Sequence, residues 1–87
     1  MHETGLMVDL IRKIESIARE RSARKVVGVK VKIGLFSGVD PEIFRGHFLF
    51  ASRGTIAEGA RLIFELTPNL EDPNGDAVIL ESLEATE

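Results

Sequence analysis

The chain contains no cysteine, tryptophan or tyrosine, and only two histidines among its 87 residues. Without cysteine it can hold no disulfide, no thiol nucleophile and no zinc or iron–sulfur site built on thiolates. Two imidazoles cannot close a structural zinc site by themselves, so no zinc is expected. Long apolar runs are missing as well, since none approaches the roughly 18–20 residues that span a bilayer.

The N-terminus lacks the basic and then apolar layout of a signal peptide, because Glu3 and Asp9 interrupt it. We therefore expect a cytoplasmic protein without a membrane partner. Its length fits a single domain over residues 1–87, and its composition of 44% hydrophobic and 29% charged residues is ordinary for a globular domain.

The net charge of -3 conceals an asymmetry along the chain. Residues 1–45 contain nine Lys/Arg and six Asp/Glu, whereas residues 46–87 contain two and eight. A nucleic-acid-binding domain would be more basic and would offer aromatic side chains for base stacking, so no nucleic-acid partner is expected. The basic stretch from Arg19 to Lys32 is instead a solvated edge or a docking surface for an acidic protein partner.

Two stretches have the i, i+3, i+4 spacing of apolar residues that is typical of an amphipathic helix. The first runs from Leu6 to Ala18, with Thr4 as the predicted N-cap and an end near Ser22. The second follows Asp40-Pro41, an N-cap and then a proline at the first helical position, and is predicted to close at Gly54.

Three stretches alternate in the manner of half-buried strands. The first covers residues 26–35, where Val27 is predicted to face inward and the lysines to face solvent. The second begins at Leu62 and the third spans residues 77–83, and Asn74-Gly75 between them predicts an antiparallel hairpin. The order α-β-α-β-β predicts an α+β class: a two-layer domain with two helices on one face of a three-stranded sheet.

Motifs for catalysis or nucleotide binding are weak. The stretch GTIAEGA lacks the lysine and the spacing of a phosphate-binding loop. A Ser-His-Asp set could be assembled from Ser37, His47 and Asp40, but no nucleophile elbow accompanies it. His47 is better explained as a partly buried side chain of the second helix, and we expect no enzyme activity.

The N-terminal pair Met1-His2 offers three nitrogen donors in succession. The α-amine of Met1, the His2 amide after loss of its proton, and the His2 imidazole can form fused chelate rings in one plane. Such coordination suits Ni(II) or Cu(II), whereas zinc prefers a tetrahedral set. Glu3 stands next and is a candidate fourth ligand or an acceptor for the imidazole. A frayed terminus without metal is the competing interpretation.

Four blocks of the sequence resemble the HypA family in order and spacing: MHETGL, IGLFSGVDPE, GTIAEGARL and GDAVILESLE. This family consists of nickel metallochaperones that help to mature NiFe-hydrogenase and, in some organisms, urease. The resemblance implies that Met1 and His2 bind nickel, that Glu3 is a ligand or neighbour, and that Asp40 contributes as it does in some members. For Asp40, a role as helix N-cap alone is the simpler interpretation. The implied partners are a HypB-type GTPase and the hydrogenase large subunit, and a homodimer stays open.

The chain departs from the family pattern in two places. Typical members insert a zinc ribbon with two CxxC pairs between the second and third strands, and that insertion, expected near residues 68–75, is absent. Leu35 and Phe36 stand where members usually have Glu-Leu. Two hypotheses follow: a Ni(II)-binding factor that captures and transfers the metal without turnover, or a metal-free HypA-like protein that acts as an interaction module.

Overall fold

The computed structural model describes residues 3–34, 37–68 and 78–86. The elements follow in the order α1 (Glu3–Glu20), β1 (Lys25–Gly34), α2 (Pro41–Ala51), β2 (Arg61–Thr67) and β3 (Val78–Thr86). The predicted order and the predicted α+β class, with two helices and one three-stranded sheet, are both confirmed. Leu35, Phe36 and the predicted turn at Asn74-Gly75 lie outside the described residues.

The sheet has the strand order β2-β1-β3, with β1 in the centre. β1 runs parallel to β2 and antiparallel to β3. The predicted hairpin between the last two strands is therefore wrong. Because α2 forms the crossover from β1 to β2, the two strands lie parallel and adjacent, and the other edge of β1 is left for β3.

The core lies between the two helices and one face of the sheet. It contains the following side chains: Met7, Leu10, Ile11, Ile14 and Ala18 of α1, Phe44 and Phe48 of α2, Val26, Val29, Val31 and Ile33 of β1, and Leu62 and Val78 of the outer strands, together with Ala57 and Ala60. The predicted apolar face of α1 is confirmed by this set. Burial of these side chains is the main source of stability in so small a domain.

Val27 departs from the predicted alternation of β1. Val26 pairs with Ala85 and Gly28 pairs with Glu84, so Val27 is an extra residue without a partner in β3. Such a bulge shifts the following residues to the opposite face. The side chain of Val27 is consequently 39% exposed rather than part of the core.

The element ends differ from the predictions by a few residues. α1 begins at Glu3, so Thr4 lies inside the helix and is not its N-cap. The helix ends at Glu20, and Ser22 follows with a positive φ of 54°. α2 ends at Ala51, with Ser52 as its C-cap, before Gly54 is reached.

Both helices have their N-termini at the same end of the sheet. Leu6 in the first turns of α1 lines a groove with Val78, and Val78 pairs with Ile33 near the carboxyl end of β1. α2 begins just after that same end. At the opposite end, the N–H of Val26 donates to the carbonyl of Ile56 in the segment after α2, at 3.0 Å. The fold thus brings the start of α1 at Glu3 and the N-cap of α2 at Asp40 to one end of the domain.

Candidate metal centre

Asp40 is the N-cap of α2. Its backbone is extended, with φ -86° and ψ 118°, and Oδ1 accepts hydrogen bonds from the N–H groups of Glu42 at 2.9 Å and Ile43 at 3.4 Å. A carboxylate at this position also interacts favourably with the helix dipole. The cap role is therefore visible in the structure, while a metal-ligand role for Asp40 stays a prediction.

The other predicted ligands are Met1, His2 and Glu3. Met1 and His2 lie outside the described residues, and Glu3 begins α1. Their donor geometry therefore stays a prediction. The topology brings Asp40 to the end of the sheet at which α1 begins.

Within residues 3–34, 37–68 and 78–86, no group of three or more His, Cys, Asp or Glu side chains is arranged to hold a metal ion. His47 is exposed on α2, and the prediction that it is partly buried is wrong. The buried face of α2 is formed by Phe44 and Phe48, and His47 lies outside it. Ser37 Oγ accepts from the N–H of Val39 at 3.1 Å, so that hydroxyl serves a turn.

The outer face of the sheet presents a cluster of four ion-paired side chains that crosses all three strands. Lys30 and Lys32 of β1 each lie 3.4–3.6 Å from a carboxylate oxygen of both Glu65 on β2 and Glu81 on β3. The sequence predicted that these lysines face solvent but missed their partners. Alternation along each strand could place Glu65 and Glu81 at outward positions, but their pairing with these lysines depends on the strand order.

The cluster shifts two pKa values. Hydrogen bonding to Glu81, with the charges of Glu81 and Glu65, raises the pKa of Lys30 above its ordinary 10.5. For Glu81, desolvation acts to raise the pKa, but the hydrogen bonds and charges of Lys32 and Lys30 together outweigh it and hold the pKa below 4.5. With two cations and two carboxylates, the cluster is charge-balanced.

Gly28 lets a further ion pair cross the central strand. Arg61 Nη2 of β2 lies 3.5 Å from Glu84 Oε2 of β3, and both residues pair with Gly28 in the sheet register. A Cβ atom at Gly28 would lie only 3.3 Å from the Cβ of Glu84 and 3.5 Å from its carboxylate. The glycine thus makes room for the Glu84 side chain over β1.

α2 exposes three large apolar side chains on the side away from the core. Ile43 is 53%, Leu49 is 54% and Phe50 is 73% exposed. The guanidinium of Arg53 lies 5.6 Å from the centre of the Phe50 ring. Among the described helices, neither is long and apolar enough to cross a membrane.

Comparison with known proteins gives consistent matches. The family model described as hydrogenase/urease nickel incorporation, metallochaperone, hypA matches residues 1–71. The hydrogenase maturation factor HypA of Aquifex aeolicus is 42% identical over 66 residues, which cover 76% of this chain and 57% of that protein. The protein of the same name from Nitrosospira multiformis is 41% identical over 68 residues, or 78% of this chain and 59% of that protein.

The same fold occurs in a solved structure. The solution structure of the Ni metallochaperone HypA from Helicobacter pylori superimposes with a TM-score of 0.81, covering 99% of this chain and 98% of that chain at 24% identity. The chain spans less than two thirds of the length of the curated relatives it matches. Because the family model covers 71 of the 87 residues, from the first onward, the chain belongs to the HypA family.

Proposed function

We propose that this chain binds Ni(II) and helps to incorporate it into hydrogenase, with no catalytic turnover of its own. The observation that carries the proposal is the family match over residues 1–71, which includes the N-terminal Met1-His2-Glu3 block. The relatives are named hydrogenase maturation factors, and the family description names nickel incorporation. Nickel is the cargo in this proposal and is passed on to an acceptor.

The proposed donors are three nitrogen atoms at the N-terminus. They are the α-amine of Met1, the deprotonated amide of His2 and the imidazole of His2, which together favour a planar nickel complex. Glu3 supplies the remaining ligand or accepts a hydrogen bond from the imidazole. Because nickel must displace protons from these groups, affinity falls as the pH is lowered.

Asp40 supports this site from the neighbouring helix start. Asp40 Oδ1 accepts two backbone hydrogen bonds, so the main role of this residue is to cap α2 at the end of the sheet where α1 also begins. Asp40 is then a positioning residue for the turn rather than the source of nickel affinity.

The proposed partners follow from the same family. A HypB-type GTPase would exchange nickel with this chain, and the hydrogenase large subunit would receive it; urease is a further acceptor. A partner that offers additional ligands competes for nickel and removes it from the three nitrogen donors of Met1 and His2. This step requires no covalent chemistry on the chain itself.

The experiment is a nickel titration of the untagged protein at pH about 7.5, followed by calorimetry and by the d–d absorption of a planar complex. His2→Ala is compared with His47→Ala, which removes the only other imidazole. We expect one nickel ion per chain in the wild type and in His47→Ala, and at least about tenfold weaker binding in His2→Ala.

Equal binding by all three proteins would contradict the proposal, because the ligands would then lie elsewhere. Absence of binding in the wild type would favour the second candidate, a metal-free interaction module. The observation that favours this second candidate is the exposed apolar face of α2, where Phe50 is 73% exposed.

A further inference from the structure

The two edges of the sheet are not equivalent. At the β2 edge, Arg45 of α2 donates from Nη1 to the carbonyl of Leu62 at 3.0 Å, and its guanidinium lies 4.9 Å from the centre of the Phe64 ring. At the other edge, β3 pairs only with β1 among the described residues. Within the described part of the chain, one side of this nine-residue strand thus has backbone groups that pair with no other strand, and such groups can pair with an added strand.

A groove accompanies this free edge. It has a volume of about 280 Å³ and lies between α1 and β3. Its apolar lining comes from Leu6 and Leu10 on the helix and from Val78 and Leu80 on the strand. A strand added beside β3 would direct alternate side chains to this face of the sheet, where the groove can take them.

The charged residues that line the groove are Asp9, Arg12 and Lys13, so the net charge of its lining is positive. Arg12 and Lys13 are exposed, and neither forms an ion pair with a carboxylate of the described residues. By contrast, Lys30, Lys32 and Arg61 on the outer face are all paired. The unmatched cations of the groove therefore favour a ligand that brings a carboxylate.

We infer that the free edge of β3, together with its groove against α1, is a docking site for an extended acidic segment of a partner protein. The segment would pair with β3 through its backbone, insert alternate apolar side chains toward Leu6 and Leu10, and place an acidic side chain beside Lys13. This inference goes beyond nickel binding and needs neither Met1 nor His2.

A second copy of this chain fits the edge less well. Two β3 strands paired about a two-fold axis would bring two α1 helices side by side, and with them two copies of Arg12 and Lys13. β3 contains no basic residue, and its acidic residues, Glu81 and Glu84, are already paired across the outer face. The copy would thus add like charges at the groove and no carboxylate to match them.

The test uses a phage-displayed library of random nonapeptides, selected against the full chain without nickel. Selected peptides are synthesised with a fluorescein label, their affinities are measured by fluorescence anisotropy, and amide hydrogen exchange locates the binding site. We expect peptides with alternating apolar and acidic residues. On binding, the β3 amides that do not bond to β1 should exchange at least about tenfold more slowly.

Two charge-reversal variants make the test specific. Lys13→Glu should weaken binding at least about tenfold, whereas Arg19→Glu, an equal charge change at an exposed α1 position outside the groove, should change it less than about twofold. His2→Ala should bind the peptides as the wild type does, so a failed nickel site and a failed docking site are distinguishable. Thermal unfolding of each variant confirms that it is folded.

Three results would overturn the inference. One is a library without enriched peptides. Another is enrichment of peptides that protect α2 around Ile43 and Phe50 instead of β3. The third is protection of the β3 edge that rises with protein concentration in the absence of peptide, together with a dimer in sedimentation, because a second copy would then be the occupant.

Discussion

Replacing Asp40 separates its role as a helix cap from a role as a nickel ligand. Asp40→Ala removes the acceptor for the N–H groups of Glu42 and Ile43, which lie 2.9 and 3.4 Å from Oδ1. Loss of an N-cap costs typically about 1 kcal/mol of the free energy of unfolding. For a domain of this size, that loss lowers the melting temperature by about 4–8 °C.

Asp40→Asn is the matched control, because asparagine caps helices about as well as aspartate but carries no charge. We expect its melting temperature, measured by circular dichroism, to stay within about 2 °C of the wild type. Its nickel dissociation constant should stay within about threefold. A tenfold loss of nickel affinity in Asp40→Asn with unchanged stability would instead identify the carboxylate as a ligand.

The remaining predictions concern the core and the ion-paired outer face. Phe48 is 1% exposed, so Phe48→Ala should lower the free energy of unfolding by about 3–5 kcal/mol. Phe50 is 73% exposed, so Phe50→Ala should change that free energy by no more than about 0.5 kcal/mol. Urea unfolding of both variants measures these changes. The lowered pKa of Glu81 means that its contribution to stability is present above pH 4.5 and is lost as the pH falls through the lower folded pKa. The raised pKa of Lys30 means that its contribution is present below pH 10.5 and is lost as the pH rises through the higher folded pKa. Glu81→Gln should flatten the acid limb of a plot of unfolding free energy against pH, and an unchanged limb would show that the cluster does not stabilise the fold.

The periodicity of apolar residues was enough to predict all five elements and their order. In α1 the core positions from Met7 to Ala18 follow the helical spacing directly, so local pattern and tertiary structure agree. The pairing of the strands was harder to predict. Asn74-Gly75 is a local turn signal, but the parallel pairing of β1 with β2 is set by the α2 crossover, which acts over a longer stretch of chain.

Two other predictions, the inward position of Val27 and the end of the third strand, were wrong for physical reasons that one sequence does not reveal. Val27 interrupts the alternation because β1 has one residue more than β3 across the bulge, and such an insertion depends on the partner strand. The end of β3 at Thr86 depends on its pairing with Lys25, whereas the sequence predicted that the third strand ends at residue 83. Strand ends and bulges are properties of the assembled sheet.

The candidate site and its surroundings also contain features that the sequence could predict and features that it could not. The capping role of Asp40 follows from Asp-Pro at a helix start and could be predicted. The donor set at Met1 and His2 was inferred from the succession of amine, amide and imidazole and from the family, and it stays a prediction. The ion-paired cluster around Lys30 could not be inferred without the strand order, because its carboxylates come from two different neighbours of β1.

In the proposed site, the free α-amine of Met1 and the imidazole of His2 bind nickel together. Acetylation of the α-amine is the sharpest test of this pairing, because it removes one donor and leaves every side chain in place. Adding a residue before Met1 is less suitable, since a histidine at the third position can also form a planar nitrogen complex. We predict that the acetylated protein keeps its circular dichroism spectrum but lacks the d–d band of a planar nickel complex. Its nickel affinity should be at least about tenfold lower than that of the free protein. Equal nickel affinity in the acetylated and free proteins would contradict the claim.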